Sequence, residues 1–434
     1  MTVQVVGAGL AGCEAAWQLA KAGVPVTLYE MKPVCFSPAH RQAGFAELVC
    51  SNSFKALRLG SAAGMLKQEM RLFGSLVLSC ADRCSVGAGG ALAVDREQFS
   101  ALVTQAIEAE PLITVVRKEL ETIPDGEVIV ATGPLTSQAL ANSIFRLVGG
   151  RRLSFYDAAA PIVTAESIDL SQAFFAARYD RGEADYINCG MDRPQYERFY
   201  QALVEAETAP LHDFDQRPSV YEGCMPVEVM AKRGPDTLRY GPLRPIGLRH
   251  PQTGQRYYAV LQLRKENRQG SMYNLVGFQT NLKFSEQKRV FSLIPGLEQA
   301  EFVRYGVMHR NTFLDSPRLL NEQFCLRAEP RIRFAGQITG VEGYMESAAS
   351  GIIAGWSLAR QLQHRPDVLL PRCSMIGALC GYISDPTVEH FQPMGANMGL
   401  LPPWEERIRS KQLRYEKLAQ RGIDALQQTL TQSV

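Results

Sequence analysis

The chain has 434 residues, 46% of them apolar, which is enough for two or three globular domains with ordinary cores. Lysine and arginine total 46 against 44 aspartate and glutamate residues, so the net charge of +2 excludes a protein that attracts nucleic acid through its overall field. Any RNA partner must therefore be held by a local basic patch.

The first thirty residues predict one βαβ unit. "VQVVGAG" is typical of a strand, "LAGCEAAWQLAKAG" of a helix and "VPVTLYE" of a second strand. A helical pattern follows around Met65 to Phe73, and "DREQFSALVTQAIEAE" predicts a helix capped by Asp95. "ITVVRKELETI" and "GEVIVATG" then read as strands. Together these elements predict a parallel sheet.

The composition of the chain changes after about residue 150. Residues 151–324 mix apolar and polar runs with many aromatic and proline residues, which favours an inserted α+β domain that binds the substrate. The strand, loop and helix pattern returns at "RIRFAGQITG" and "YMESAASGIIAGWSLARQL". We therefore assign residues 1–150 and 325–402 to one domain and residues 403–434 to a charged C-terminal helix that begins near Pro403.

A glycine-rich turn between the first strand and helix carries a dinucleotide-binding signature. Gly7 allows the tight turn, Gly9 lets the backbone approach a pyrophosphate, and Gly12 lets the helix pack on the strand. The helix N-terminus offers free N–H groups to the phosphates, and Glu30 ends the second strand where an acid accepts hydrogen bonds from ribose hydroxyls. The residues predicted to contact the dinucleotide here are Gly7, Ala8, Gly9, Leu10, Ala11, Gly12 and Glu30.

A second contact from the far end of the chain favours FAD over NAD alone. "FAGQ", which contains Gly336 and Gln337, precedes "GYMESAASG", whose helix N-terminus is predicted to reach the same ligand. "VIVATG" ends a strand at Gly133. This combination resembles the glutathione-reductase-like flavoprotein pattern. The resemblance implies an α/β fold in which a Rossmann FAD-binding domain carries the inserted α+β domain.

Two cysteines lie in segments that interrupt regular structure. Cys50 lies in "ELVCSNSFKA" near Lys55, and Cys224 lies in "YEGCMPVEVMAKRG" near Lys232. A cation close in space favours the thiolate, which is the reactive form of cysteine. The spacing alone leaves open whether either thiol reacts or only fills space.

Long segments of the sequence resemble one known family. They include "FAELVCSNS", "GGALAVDREQF", "YEGCMPVEVMAKRG", "RYGPLRPIGL" and "FAGQITGVEGYMESAASG", and the resemblance runs from residue 2 to about residue 402. The chain is similar to the folate- and FAD-dependent tRNA (uracil-5-)-methyltransferases. This resemblance implies C5 methylation of uridine 54 in the T-loop of tRNA. Methylenetetrahydrofolate is then the carbon donor, FADH2 the hydride donor, and NADPH or NADH the reductant of the flavin.

The implied chemistry needs a nucleophile and a base. Uracil C5 becomes nucleophilic when a thiolate adds to C6, and the C5 proton must later leave. The resemblance implies that Cys50 and Cys224 are the functional thiols. We predict that Cys224 attacks C6 and that Cys50, nearer the flavin, serves proton transfer or folate activation. The sequence has no second GxGxxG after a strand, so we expect the nicotinamide to share the folate face.

Three other functions remain open at this point. A flavin-dependent oxidoreductase would use Cys50 and Cys224 as a dithiol, an RNA chaperone would hold a purely structural flavin, and a related methyltransferase would act on a ribosomal RNA uridine. Cations that are candidates for tRNA phosphates or the folate glutamate are Lys232, Arg233, Arg244, Lys283 and Arg310, each with a solvated charge as the alternative.

Two histidines and the C-terminal helix are interpreted structurally. His40 and His309 stand beside polar turns, where a histidine is more often a hydrogen-bonding group than a proton shuttle. The C-terminal helix mixes Glu416 with its cations, which favours a solvated face over an RNA contact.

The cysteines and apolar runs indicate the compartment. Ten scattered cysteines include no CxxC, and the CxxxC from Cys80 to Cys84 has no paired histidines, so no metal site is predicted. Separate reduced thiols are typical of cytosolic proteins. No eighteen uncharged apolar residues follow each other and the N-terminus reads directly as a strand, so we predict a cytoplasmic protein without membrane segments.

Overall fold

The structure is a computed structural model, and it describes residues 2–150, 152–180, 183–209, 225–389 and 391–433, without the side chains of 152–157, 180 and 309–312. The described strands are β1 (Val3–Val6), β2 (Val26–Glu30), β3 (Ser53–Ala56), β4 (Ser85–Val86), β5 (Ala91–Val94), β6 (Ile113–Arg117), β7 (Val128–Val130), β8 (Arg152–Ala158), β9 (Ile162–Thr164), β10 (Ala173–Phe175), β11 (Tyr186–Met191), β12 (Ala259–Lys265), β13 (Met272–Leu275), β14 (Phe302–Arg304), β15 (Met308–Leu314) and β16 (Ile332–Phe334).

The helices are distributed along the whole chain. Those described are α1 (Leu10–Lys21), α2 (Ala62–Leu72), α3 (Leu76–Arg83), α4 (Arg96–Ala109), α5 (Gln138–Leu147), α6 (Arg193–Glu205), α7 (Val227–Ala231), α8 (Thr237–Tyr240), α9 (Phe284–Phe291), α10 (Ser316–Leu319), α11 (Tyr344–Leu362), α12 (Met375–Ser384) and α13 (Lys411–Gln432). Across these described ranges, no helix combines the length and the apolarity needed to cross a membrane.

A parallel five-stranded sheet forms the centre of the first domain. Its order is β16-β7-β1-β2-β6, and every neighbouring pair is parallel. The strands β1 and β2 and the helix α1 between them form the predicted βαβ unit. Asp95 caps α4, as predicted, by accepting a hydrogen bond from the backbone N–H of Gln98 at 3.0 Å. Because β16 comes from the segment after residue 325, the chain returns to this sheet next to β7.

A six-stranded antiparallel sheet forms the centre of the second region. Its order is β10-β11-β12-β13-β9-β14. One face carries apolar side chains such as Ile187, Leu261 and Leu275, which pack against α6 and α9, and the other face carries polar side chains such as Asn188 and Gln262. This core is separate from the one formed by residues 3–148 and 313–426. Two cores are expected for an inserted domain, while the exact boundaries at residues 150, 324 and 402 stay a prediction.

Glycines let α1 and α11 approach backbone to backbone. A Cβ at Gly351 would lie 2.1 Å from the carbonyl oxygen of Ala11, and one at Gly355 would lie 2.5 Å from that of Ala15. Real Cβ atoms do not approach an oxygen this closely, so any larger residue would push the helices apart. The close contact sets the N-terminus of α11 beside the glycine turn that precedes α1.

The C-terminal helix differs from its prediction in two ways. The helix begins at Lys411, where Ser410 is the N-cap, and not near Pro403, since the segment before it is irregular and tied down by Arg421, which donates to the carbonyls of Pro402 and Pro403. The prediction of a solvated helix holds for one side only. The other side is buried because apolar and small residues recur at helical spacing; these are Leu418, Ala419, Gly422, Ile423 and Leu426.

Buried carboxylates cap the N-termini of two helices, and local sequence patterns did not predict these caps. Glu14 accepts hydrogen bonds from the backbone at the start of α3, and Glu69 accepts one from Met375 and one from Ile376 at the start of α12, both at 2.8 Å. The helix N-terminus favours a negative charge there. Burial opposes it and raises the pKa of Glu14 to about 7 and that of Glu69 to about 8.

Glu69 is expected to make the stability of the protein depend on pH. Its carboxyl has a pKa of about 8 in the folded chain against 4.5 without burial, so the folded state binds more protons between these values and loses stability as the pH rises through them. The variant Glu69→Gln should therefore gain stability relative to the wild type from pH 5 to 8, by up to about 1.4 kcal/mol per pH unit. Urea unfolding at several pH values measures this difference. The exposed Glu121→Gln is the control, and equal slopes for both variants would contradict the prediction.

Candidate functional site

A cleft opens at the carboxyl ends of β1, β2 and β7. In an open α/β sheet this edge is where ligands bind. Three distant parts of the chain meet there: the glycine turn with the end of β2, the loop after β7, and the loop after β16. The predicted cofactor residues that line the cleft are Gly7, Ala8, Gly9, Leu10, Ala11, Glu30, Gly133, Gly336 and Gln337.

The three glycines of the turn differ in what surrounds them. Gly7 has a φ of +98°, and a Cβ there would lie 2.7 Å from the carbonyl oxygen of Ala131. A Cβ at Gly12 would lie 1.7 Å from the carbonyl oxygen of Gly7, so Gly12 lies beneath the turn and does not line the cleft. A Cβ at Gly9 would meet nothing within 4 Å. The space above Gly9 is therefore open to a ligand, as the approach of a pyrophosphate requires.

Glu30 is held rigidly at the end of β2. Its carboxylate is buried and accepts hydrogen bonds from the backbone of Ala8 at 2.8 Å and of Lys32 at 3.0 Å. The ammonium of Lys32 in turn donates to the carbonyl of Gly44 at 2.7 Å and pairs with Glu47 at 3.3 Å. A fixed carboxylate at this position can accept hydrogen bonds from ribose hydroxyls.

The segment that follows β16 reaches the same cleft as the glycine turn. Gly336 has a φ of +84°, and its N–H donates to the hydroxyl of Ser350 on α11 at 2.7 Å. The amide of Gln337 donates to Glu342 at 2.7 Å. Ser347 and Tyr344, from the first turn of α11, also line the cleft. The contact from the end of the chain that the sequence predicts is therefore part of the cleft wall.

Cys50 lies in a loop at the rim of this cleft, and residues 48–52 are called here the Cys50 loop. The backbone N–H groups of Cys50 and Ser51 donate to the hydroxyl of Tyr344 at 2.8 and 3.1 Å, and the preceding Val49 lines the cleft. Burial raises the pKa of Tyr344, so its hydroxyl stays neutral and protonated. One hydroxyl thus couples the position of the Cys50 loop to the cleft wall.

Two arginines that sequence reasoning missed surround the Cys50 loop. Arg96 donates to the carbonyl of Cys50 at 3.0 Å and to that of Leu48, and it pairs with Glu266 at 2.6 Å. Arg304, on β14, donates to the carbonyl of Val49. Both guanidinium groups interact electrostatically with Cys50, and burial together with Arg96 lowers the pKa of Arg304. No local signal identifies them, because both are distant from Cys50 in the sequence.

The remaining predicted site residues are only partly described. Cys224 and the side chains of His309 and Arg310 lie outside the described residues, so the pairing of Cys224 with Cys50 stays a prediction. His40 lines the cleft, and its Nδ1 lies 2.6 Å from the hydroxyl of Ser37, which fits the hydrogen-bonding role predicted for it. Burial lowers the pKa of His40.

The predicted phosphate-binding cations have different surroundings. Lys283 is exposed and pairs with Glu207, while Lys232 and Arg233 are exposed at the end of α7. Arg244 is exposed in the loop after α8. Lys55, close to Cys50 in sequence, pairs with the buried Glu346 at 3.1 Å. None of these five cations lines the cleft.

The fold and the cleft define a Rossmann-type dinucleotide-binding protein with a second, antiparallel sheet. Comparison with known proteins agrees: the model of the family "Glucose inhibited division protein A" matches residues 2–366. Relatives from Heliobacterium modesticaldum, Pelotomaculum thermopropionicum and Brevibacillus brevis are 57%, 57% and 55% identical, and the matches cover 98–100% of this chain and 97–99% of theirs. All three are named methylenetetrahydrofolate--tRNA-(uracil-5-)-methyltransferase TrmFO. The chain belongs to the glucose inhibited division protein A family and is a relative of its TrmFO members.

Solved structures show the same fold. Two crystal forms of Aquifex aeolicus GidA match with a TM-score of 0.70 at 16% identity, covering 99% of this chain and 75% or 78% of the GidA chain. At that identity the match concerns the fold alone. The predicted fold class, an α/β protein with a Rossmann FAD-binding domain and an inserted α+β domain, is confirmed, and so is the family resemblance.

Proposed function

We propose that this chain catalyses the C5 methylation of uridine 54 in the T-loop of tRNA, with methylenetetrahydrofolate as carbon donor and FADH2 as hydride donor. The observation that carries this proposal is the full-length identity of 53–57% with relatives whose shared name states the folate donor, the tRNA substrate and the uracil C5 position. NADPH or NADH recharges the flavin in this proposal.

The residues of the cleft fit FAD. The open space above Gly9 accepts a pyrophosphate, Glu30 accepts the ribose hydroxyls, and the loop with Gly336 and Gln337 holds the flavin end. Bound FAD supplies the hydride that reduces a methylene group to a methyl group. The protein's part is to bind the flavin against the Cys50 loop and to fix its orientation.

The chain's own thiols supply the covalent chemistry in this proposal. The thiolate of Cys224 adds to uracil C6, which makes C5 nucleophilic toward the one-carbon donor. Cys50 acts in proton transfer or folate activation. Loss of the C5 proton releases tetrahydrofolate and leaves an exocyclic methylene at C5, and addition of hydride to that methylene then expels the Cys224 thiolate and restores the C5–C6 double bond. Arg96 and Arg304, which surround the Cys50 loop, favour an anionic sulfur there.

A reconstituted assay tests the proposed function. Purified FAD-loaded protein is incubated with isotope-labelled methylenetetrahydrofolate, NADPH and a T-arm transcript that carries uridine or cytidine at position 54, and mass spectrometry maps the label. We expect label at uridine 54 and none in the cytidine transcript. A ribosomal RNA fragment runs in parallel, and label in that fragment alone would overturn the tRNA assignment.

The reaction belongs in the cytoplasm in this proposal. Each of the nine cysteines that the structure describes is free of a disulfide, and six of them are buried: Cys13, Cys80, Cys84, Cys189, Cys325 and Cys380. Reduced thiols of this kind persist in a reducing compartment. The tRNA and folate substrates of the proposed reaction would be met there.

The hydroxyl of Tyr344 is expected to matter for methyl transfer because it positions the Cys50 loop. Tyr344→Phe leaves the N–H groups of Cys50 and Ser51 without their acceptor, at a cost of about 1 kcal/mol each. We expect kcat for RNA methylation to fall about tenfold or more while FAD binding stays within about twofold. Tyr382→Phe, which removes a hydroxyl bonded to the carbonyl of Gln392 at 2.8 Å, is the control. Equal rates for the two variants would show that the hydroxyl does not position the loop.

A further inference from the structure

An exposed segment of the inserted region concentrates positive charge. Residues 239–256 contain four arginines and no aspartate or glutamate, although the whole chain has a net charge of only +2. Arg244, Arg249 and Arg256 are exposed. No carboxylate in the part of the chain that the structure describes lies within ion-pair distance of Arg244 or Arg249. This is the kind of local basic patch that the bulk composition requires of an RNA-binding protein.

A fifth arginine, Arg178, holds the backbone of this segment through hydrogen bonds. Arg178 donates from one guanidinium nitrogen to the carbonyls of Arg244 and Ile246, and the backbone of Tyr179 donates to the carbonyl of Gly247 at 2.7 Å. Burial, followed by the nearby charge of Arg244, lowers the pKa of Arg178. These hydrogen bonds anchor the backbone of residues 244–247, and Arg178 and Arg244 lie close enough for their charges to interact.

Large apolar side chains stand exposed among these cations. Tyr240 is 80% exposed, Ile246 53% and Tyr179 50%. Tyr179 has a φ of +62°, a strained conformation for a residue other than glycine, and its ring packs so closely on Gly247 that a Cβ there would lie 2.7 Å from the ring. Exposed aromatic rings on a basic surface are the arrangement on which nucleobases stack.

Polar contacts connect this surface to the Cys50 loop. Arg178 donates to the side chain of Gln262 on β12 at 3.0 Å. Arg264, two residues along the same face of β12, donates to Asn52 at 3.0 Å and to Ser51 at 2.8 Å. Two residues of a strand span about 7 Å. The basic surface therefore lies on the same side of the six-stranded sheet as the loop that carries Cys50.

We propose that this surface, formed by Arg178, Tyr179, Tyr240, Arg244, Ile246 and Arg249 and called here the arginine surface, binds the sugar–phosphate backbone of the RNA substrate. Its arginines contact phosphates and an exposed tyrosine stacks on a base, while the reacting uridine enters beside the Cys50 loop. This inference rests on the proposed function, since that function supplies the RNA.

The C-terminal segment is the competing RNA surface and is less suited. Residues 402–421 carry six cations but also three glutamates. Two of those cations, Lys417 and Arg421, lie over the ring of Trp404 at 5.3 and 5.5 Å, and Arg421 also holds the carbonyls of Pro402 and Pro403. These groups stabilise the segment itself, whereas Arg244 and Arg249 are exposed.

The test compares two double variants of the FAD-loaded protein. Arg244→Gln/Arg249→Gln removes two charges from the arginine surface, and Arg407→Gln/Arg409→Gln removes two exposed arginines from the C-terminal segment. The Kd of a fluorescent T-arm RNA is measured from 50 to 300 mM KCl. For the first variant we expect a Kd about tenfold higher and a salt slope smaller by about 1.4 to 1.8, since each phosphate contact contributes roughly 0.7 to 0.9. Its FAD content should stay unchanged.

A third variant separates stacking from charge. Tyr240→Ala should weaken binding by about tenfold without changing the salt slope, and Tyr240→Leu should not restore it. A wild-type salt slope in the Arg244→Gln/Arg249→Gln variant, or a reduced slope only in the Arg407→Gln/Arg409→Gln variant, would overturn the arginine surface. Failure of the wild type to methylate the T-arm RNA would instead overturn the proposed function, so the two failures are distinguishable.

Discussion

Replacing Cys50 with alanine is expected to slow single-turnover methylation of RNA by on the order of 10³-fold while FAD stays bound. The reason is chemical, because alanine has neither a proton to transfer nor a sulfur to activate the folate carbon. The loop itself should persist, since its contacts to Tyr344, Arg96 and Arg304 run through backbone groups that the substitution leaves in place. Rapid-quench assays of methyl transfer and the flavin absorbance of the purified variant measure the two quantities.

The control for this prediction is another half-buried thiol. Cys373→Ala removes another half-buried sulfur, and it should keep both FAD and methyl transfer. If Cys50→Ala transferred methyl groups at the rate of Cys373→Ala, Cys50 would be a packing residue and the assignment of its role would be wrong.

Adding one methyl group to the glycine turn should lower stability at one position but only FAD binding at another. Gly12→Ala places a Cβ 1.7 Å from the backbone oxygen of Gly7, so the turn must move, and we expect a loss of at least about 3 kcal/mol in unfolding free energy together with loss of FAD. Gly9→Ala has a φ of −75° and open space around its Cβ, so the fold should keep its stability. FAD binding alone should weaken there, because the methyl group fills the space left for the pyrophosphate.

Thermal unfolding of the FAD-free variants and flavin titration measure these two effects separately. Stability loss in Gly12→Ala with near-normal stability in Gly9→Ala is the expected pattern. Tight FAD binding by Gly9→Ala would show that the pyrophosphate does not approach the backbone at that residue.

The parts of the fold that the sequence predicted correctly are those that depend on the spacing of residues close together in the chain. The βαβ unit, the glycine turn, Glu30 and the return of the chain at Gly336 follow from hydrophobic periodicity and glycine positions within short windows. The cap at Asp95 was predictable for the same reason, because a capping side chain bonds to a backbone group three residues away. These features form part of the cleft wall.

The features that the sequence did not predict depend on contacts between distant residues. Arg96 and Arg304 reach the Cys50 loop from another helix and from the inserted sheet, and Glu69 caps a helix 306 residues away. The buried side of the C-terminal helix likewise packs against α2 and against the backbone of Cys373, both distant in sequence. Tertiary packing decides such contacts, so no local pattern reports them. The relation between Cys50 and Cys224 belongs to this class and stays a prediction.

In the proposed reaction, FAD bound in the cleft would supply the hydride for a carbon that has moved from folate to uracil C5. A single-turnover experiment tests it most directly: anaerobic protein with prereduced FAD, no nicotinamide, methylenetetrahydrofolate and T-arm RNA, followed by flavin absorbance and by quantification of 5-methyluridine. We expect one flavin to be oxidised for each 5-methyluridine formed, and only when folate and RNA are both present. Formation of 5-methyluridine while the flavin stays reduced, or equally fast flavin oxidation without RNA, would contradict it.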